Sequence, residues 1–264
     1  MKLSVILPSY KDPLLIKTIG SLLVSSELGD QLEIIAIFDG YTPEFELISD
    51  PRVRYVYLGK NRGMRGAINA GVDIARGEFL CRSDEHCCFA PGFDKVMTDS
   101  CQLNWIMTAR RYFLDPVKWE VMEDQKYVDY EKLVIQEGVK FSGQRWSSRS
   151  KERENIMVDE TMAMQGSMWV MPRQWWIDVI GELQTEEYGP HYQDSHEMIF
   201  KTWQAGGKMM LNKNTWFAHR HRSFNRTHND GTKDNPANKE AGWKYSLDKW
   251  RDYYETEIRP KWQI

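Results

Sequence analysis

Apolar runs, each cut off by a polar break, set the rhythm of the first third of the chain. Leu3-Ser-Val-Ile-Leu7 stops at Pro8-Ser-Tyr10, Leu32-Glu-Ile-Ile-Ala-Ile-Phe38 stops at Asp39-Gly40, and Val53-Arg-Tyr-Val-Tyr57 follows Asp50-Pro51. Short β-branched runs of this kind predict buried strands. Between the first two, Leu14 to Val24 carries apolar side chains at helical spacing, and from Asn61 to Ala75 the residues Ala67, Ala70, Gly71 and Ile74 share one helical face. The small residues there predict a helix seated close on the sheet. A fourth run, Phe79-Leu-Cys81, surfaces into a polar cluster ending Asp84-Glu-His86. Strands alternating with helices predict an α/β fold with a parallel sheet whose ligand pocket lies at the carboxyl ends of the strands. Pro8, Tyr10, Asp39 and Asp84 all fall at such ends.

Beyond residue 103 the pattern loosens. Asn104 to Phe113 predicts another strand, Trp119 to Gln136 is acidic and rich in tyrosine, and Gly143 to Arg153 is polar and basic enough to predict a mobile loop. Asp194, with Glu197 three residues on, opens a helix in the manner of a capping box; Met198, Ile199 and Trp203 give it an apolar face and Gly206-Gly207 end it. Asn214 to Arg226 approaches as an apolar strand and leaves through His219-Arg-His-Arg222. Trp243, Leu247, Trp250, Tyr254 and Ile258 are spaced for a terminal helix packing an aromatic stripe on the domain. The expected organisation is one domain over 1–264: a nucleotide-binding half at 1–103, an acceptor and sugar half at 104–228, and a C-terminal helical extension at 229–264.

Charge narrows the partners. A net charge of -3 gives no global basic field for nucleic acid or anionic membrane, although the segments 145–153 and 219–226 are locally basic. The load of 11 Trp, 12 Tyr and 10 Phe suits a core plus a cleft that grips rings. The opening run is too short for a signal core or a membrane span, so a cytoplasmic protein without a span is expected. Cys81, Cys87, Cys88 and Cys101 crowd together with no disulfide framework and read as free or core thiols.

The chemistry centres on Asp84 and His86. Alternate side chains of an extended backbone point the same way, so this pair can converge on one point while Glu85 looks elsewhere, the start of a divalent metal site. Arg62 and Arg65, near the start of their helix, offer positive charge where exposed amides also favour an anion, and a phosphate is the natural guest.

Taken in order, Pro8-Ser-Tyr10, Asp39, Asn61-x-Gly63, Asn69-x-Gly71, Ala75-x-Gly77 and Asp84-x-His86 resemble the nucleotide-sugar half of family 2 type glycosyltransferases with the A-type fold, a Rossmann-like, mostly parallel central sheet flanked by helices. The acid-x-His variant looks most like the polypeptide N-acetylgalactosaminyltransferases. The resemblance implies that Asp39 recognises the base, that Arg62 to Asn69 line the nucleotide, with Pro8, Tyr10 and Ser83 as further donor contacts, and that Asp84 and His86 hold manganese on the diphosphate. It also places Gly166, in Met164-Gln-Gly-Ser-Met168, against the donor sugar. Aligned on Trp203-Gln-Ala-Gly-Gly207, Asp194 and Glu197 take the two acidic positions of the acceptor-side helix and are the catalytic candidates. His219 becomes the third metal ligand with His221 in reserve, and Arg222 meets the diphosphate. Two departures stand out: Ile68 where many relatives carry Arg, with Arg65 as candidate replacement, and Gly40 where many carry a second Asp. Ser195 occupies the position at which inverting relatives place a base Asp, which points to retention.

The expected activity is metal-dependent transfer of a sugar from a UDP-sugar to an acceptor hydroxyl. One carboxylate and two imidazoles suit Mn²⁺ better than the oxygen-loving Mg²⁺, which is kept as the alternative. The acceptor is a glycan, a protein or a hydroxylated nucleic acid base. Two competing readings are a nucleotidyltransferase, which would show a Gly-rich basic signature after the first strand where Pro8-Ser-Tyr10 has none, and a non-catalytic nucleotide-sugar-binding module.

Overall fold

The computed structural model describes residues 1–189, 192–221 and 236–264. Its first half alternates strand and helix as the pattern dictates: β1 (Leu3–Ser9), α1 (Leu15–Ser25), β2 (Leu32–Asp39), β3 (Val53–Leu58), α2 (Gly63–Ile74) and β4 (Phe79–Ser83). β5 (Cys87–Phe89), α3 (Phe93–Ser100), β6 (Trp105–Asp115) and β7 (Glu120–Val121) follow. Then come β8 (Glu131–Gln136), β9 (Lys140–Arg145), α4 (Ser147–Glu152), β10 (Val158–Glu160), β11 (Met168–Pro172) and α5 (Arg173–Trp175), which runs on as a π turn, Trp176–Ile180. The chain closes with α6 (Asp194–Gln204), β12 (Lys208–His219), α7 (Pro236–Tyr253), a second π turn at Tyr254–Ile258, and α8 (Arg259–Trp262).

The main sheet runs β10-β12-β6-β11-β4-β1-β2-β3. β1 is parallel to both β2 and β4, β2 to β3, and β6 to β12, whereas β11 is antiparallel to its neighbours β4 and β6. All eight residues of β2 are buried, because helices cover both faces and the strand cannot alternate apolar with polar. Two cores result, one around Ile6, Ile35 and Ile37 beneath α2, the other around Val5, Ile34 and Ala36 beneath α1 and α3. A Cβ on Gly71 would stand 2.5 Å from Ile6 Cγ2, so the small residue is what lets α2 lie on β1. The terminal aromatic stripe packs as core: Leu247, Trp250, Tyr254 and Ile258 are buried, Trp250 Nε1 donates to Tyr188 Oη at 2.7 Å, and Tyr254 Oη to the Leu133 carbonyl at 2.8 Å.

The expected mobile loop at 143–153 is a correction. Its first residues complete the β8–β9 hairpin and the rest form α4. Asp159 is the reason. It accepts two bonds from Arg153 at 2.9 Å and one from Tyr130 Oη at 2.7 Å, and Arg149 donates to the neighbouring Glu160 carbonyl at 3.0 Å. Composition of the segment alone does not reveal an anchor outside it.

Candidate active site

Asp84 and His86 lie in the short link between β4 and β5. β5 pairs with the end of β12, His219 opposite Cys87, so the last strand delivers its terminal imidazole to the exit of β4. The Asp84 backbone N–H is fixed by the Ser167 carbonyl at 2.9 Å. His219 Nε2 stands 3.0 Å, and His86 Nε2 3.8 Å, from Asp84 Oδ2. The other carboxylate oxygen, Oδ1, accepts from the buried Arg82 guanidinium at 2.6 Å.

Two donors bound at right angles to a cation about 2.1 Å away lie about 3 Å apart, and opposed donors about 4.2 Å apart. The three ligand atoms, all within 4.8 Å of one another, fit around one ion. Protonation agrees. Burial pushes the Asp84 carboxyl up, but Arg82 and the two imidazoles outweigh it and hold it well below the usual carboxylate range. Burial pushes His219 down to about 4 against the pull of Asp84. At neutral pH the pair is therefore an anion and a neutral ring, the forms that ligate metal. His219 is 5 % exposed, its Nδ1 has no hydrogen-bond partner and its Nε2 faces the Asp84 carboxylate at 3.0 Å. A neutral imidazole and a carboxylate aimed at one point in the interior are a donor set that a cation would satisfy. His221, exposed and 4.7 Å from His219 ring to ring, is outside this trio.

Asp39, buried at the end of β2, accepts from the backbone N–H of Arg62 at 2.6 Å, while the Asn61 side chain bonds its carbonyl at 3.1 Å. Gly40 has φ 75° and a Cβ there would meet Asn61 N at 2.2 Å, which explains why no second Asp follows Asp39. Tyr10 is buried edge-on to Tyr41, ring centroids 5.8 Å apart, and Pro8 is half-buried beside it. Ser83 is buried and bonds the Asp84 carbonyl at 3.0 Å. Arg62 is exposed at the head of α2.

Asp194 opens α6 and is buried, with no hydrogen bond to its Oδ2. Burial raises its carboxyl, opposed by Arg82 and Arg65 and reinforced by Asp84. A Cβ on Gly166 would come 3.0 Å from that same Oδ2, so the glycine and the acid lie side by side. Three other candidates turn inward. Arg65 is fully buried, bonded to Glu197 and to the carbonyls of Tyr192 and Gln184 at 2.9 Å each. Glu197, also fully buried, is bridged to Lys201 as well, at 2.8 Å. Asn69 exchanges two 2.9 Å hydrogen bonds with the Leu183 backbone. Arg222 lies outside the described residues.

Sequence reasoning missed Arg82 and Asp12. A charged residue at a buried position of the apolar β4 run was the available signal for Arg82. Asp12, 3.0 Å from His86 Nδ1, gave none, since Asp before Pro13 reads as an ordinary turn.

A parallel α/β half carrying acid-x-His at its mouth, closed by an imidazole from a later strand, defines a glycosyltransferase of the A-type fold. The family model for glycosyl transferase family 2 matches residues 4–176, and the chain belongs to that family. The match ends before α6 and β12, so Asp194 and His219 stand on geometry. No curated protein sequence matches the chain. Among solved structures it is similar to GalNAc-T7, crystallised with UDP, GalNAc and Mn²⁺, with TM-score 0.72 and 16% identity, covering 98% of this chain and 50% of that one. That likeness is one of fold, and this chain spans about half the length of the neighbour. Among the described residues no helix is long and apolar enough to cross a membrane.

Proposed function

We propose that this chain transfers a sugar from a UDP-sugar to an acceptor hydroxyl, with retention of configuration, and that Asp84, His86 and His219 hold the Mn²⁺ on which the reaction depends. The observation that carries the reading is the buried His219 imidazole, delivered from a distant strand, with Nε2 set 3.0 Å from the ionised Asp84 carboxylate beside His86. Held by these three side chains, a divalent cation would supply Lewis-acid stabilisation of the leaving diphosphate. Asp39, Tyr10 and Pro8 bind the base and ribose end, Arg62 and Ser83 flank the phosphates, and Gly166 lets the sugar approach Asp194. Asp194, its proton affinity raised by burial, takes the acceptor proton or stabilises the charge that develops at the sugar. Ser195, where a direct-displacement base would stand, supports retention.

Arg65, Glu197 and Asn69 take a different part from the one their sequence positions suggest. They brace α2 against α6 and the backbone at Leu183, Gln184 and Tyr192, and thereby hold the donor side and Asp194 in register. A cleft of about 320 Å³ beside the β8–β9 hairpin, the candidate acceptor surface, is lined by three cations, Lys126, Arg145 and Lys151, and by the acids Asp129 and Glu154. Asp129, on its wall, is neutralised by a two-pronged pair with Arg110 at 2.7 and 2.9 Å. Among a glycan, a protein and a hydroxylated nucleic acid base, this surface favours an acceptor carrying negative charge. The deciding experiment is UDP release from a panel of UDP-sugars with each acceptor class. Transfer is expected with Mn²⁺, abolished by chelation and restored by adding the metal back; turnover indifferent to chelation contradicts the reading.

A further inference from the structure

The loop after β1 and the link after β4 are fastened to each other twice. Glu85 turns away from its neighbours and accepts from the Tyr10 backbone N–H at 3.1 and 3.3 Å. Two residues on, Asp12 Oδ2 lies 3.0 Å from His86 Nδ1, while Asp12 Oδ1 accepts from the Leu14 backbone N–H at 2.9 Å. Asp12 is 3 % exposed and His86 2 %, so bulk water does not compete for this contact. Lys11, at φ 59°, makes the turn that aims Asp12 inward.

We propose that Asp12 is the positioning residue that fixes the tautomer and orientation of His86, an inference that rests on the metal-site reading above. A carboxylate oxygen accepts, so the contact favours a ring proton on Nδ1 and leaves the Nε2 lone pair facing Asp84 and His219. Without that hold the ring is free to protonate on Nε2, which puts a hydrogen where the cation has to bind. A carboxylate behind a ligating imidazole also makes it a better base. The two imidazoles then differ in kind. His86 is held from behind through Nδ1 before metal arrives, whereas the Nδ1 of His219 has no hydrogen-bond partner. Asp12 has a structural task as well, in seating Leu14 ahead of α1, and this has to be separated from its effect on His86.

The Asp12→Asn variant separates them. Its amide oxygen still accepts from Leu14 N–H, but its amino group offers His86 a donor and favours the wrong tautomer. Calorimetric Mn²⁺ titration of wild type and variant is expected to show the dissociation constant raised about 10- to 100-fold, with the melting temperature of the metal-free protein unchanged. A variant that binds Mn²⁺ as tightly as wild type overturns the proposal, as does one whose affinity loss is matched by loss of the metal-free fold and cured by a second stabilising change. Wild type that binds no Mn²⁺ removes the metal site itself and the inference with it. Long-range ¹H–¹⁵N spectra of metal-free wild type judge the hold without any variant: His86 protonated on Nδ1 is expected, and His86 protonated on Nε2 contradicts it.

Discussion

His219 is a neutral imidazole buried with Nδ1 unbonded, at a cost of about 1–3 kcal/mol, and with Nε2 turned to the Asp84 carboxylate at 3.0 Å, a placement that suits a metal ligand. Replacing it should therefore do little to the fold and much to the metal. His219→Ala is expected to lose Mn²⁺ binding by at least tenfold in a calorimetric titration, whereas His221→Ala, an exposed ring outside the trio, should bind within a factor of about three of wild type. Asp194 gives the complementary result. Asp194→Asn keeps the shape of the side chain and removes its capacity to take a proton, so kcat is expected to fall about 10²- to 10⁴-fold with Mn²⁺ affinity unchanged. A fall in metal affinity of the same size would move Asp194 from the acceptor side to the ion. Ser195, adjacent on α6 and buried, cannot supply the missing carboxylate.

At the scale of elements, two buried carboxylates join strands and helices through ion pairs and hydrogen bonds. Glu197 pins α6 to α2 through Arg65 and to its own helix through Lys201. Glu197→Gln strands the Arg65 guanidinium in the interior, and denaturant unfolding should register a loss of about 3–5 kcal/mol. Unchanged stability with lost turnover would return Glu197 to the catalytic role its position in the sequence suggested. Glu33, inside the otherwise apolar β2, is bonded by Ser4, Arg54 and Arg76, and although burial pushes its carboxyl up, these bonds bring it down to about 2. A carboxyl depressed on folding stabilises the native state above its unfolded value of 4.5, and that stabilisation is lost as pH falls from there toward 2. Glu33→Gln is expected to lower stability at pH 7 by about 2 kcal/mol and to flatten the acid limb of the stability curve. An acid limb as steep as wild type contradicts this.

Much of this was readable from residues alone, and where it was not the reason is physical. β1, β2 and β4 announce themselves because burial on both faces forces continuous apolar runs, and α2 because its small residues share one face; Asp84, His86 and Gly166 sit where local geometry puts them. Arg65 and Asn69 were misleading because a sequence fixes a residue's place on a helix but not which neighbour the helix face meets. The partners that turn them inward, Glu197 and Leu183, lie more than a hundred residues away. The same holds for Asp12, whose job exists only because β1 and β4 lie side by side, and for α4, whose order comes from Asp159.

Across the whole molecule the site is a joint between two halves. The β3-β2-β1-β4 half supplies Asp39, Asp84 and His86; the rest of the chain supplies Gly166, Asp194 and His219. β11, antiparallel between β4 and β6, welds the halves into one sheet, and β5 carries the last strand back to the first half's mouth. On the proposed reading the metal is the one element of the site that both groups of strands would grip. The direct test is a crystal soaked with Mn²⁺ and UDP and measured at the manganese absorption edge. One anomalous peak is expected about 2.2 Å from Asp84 Oδ2, His86 Nε2 and His219 Nε2; a peak ligated by other side chains, or none with UDP bound, would contradict the shared site.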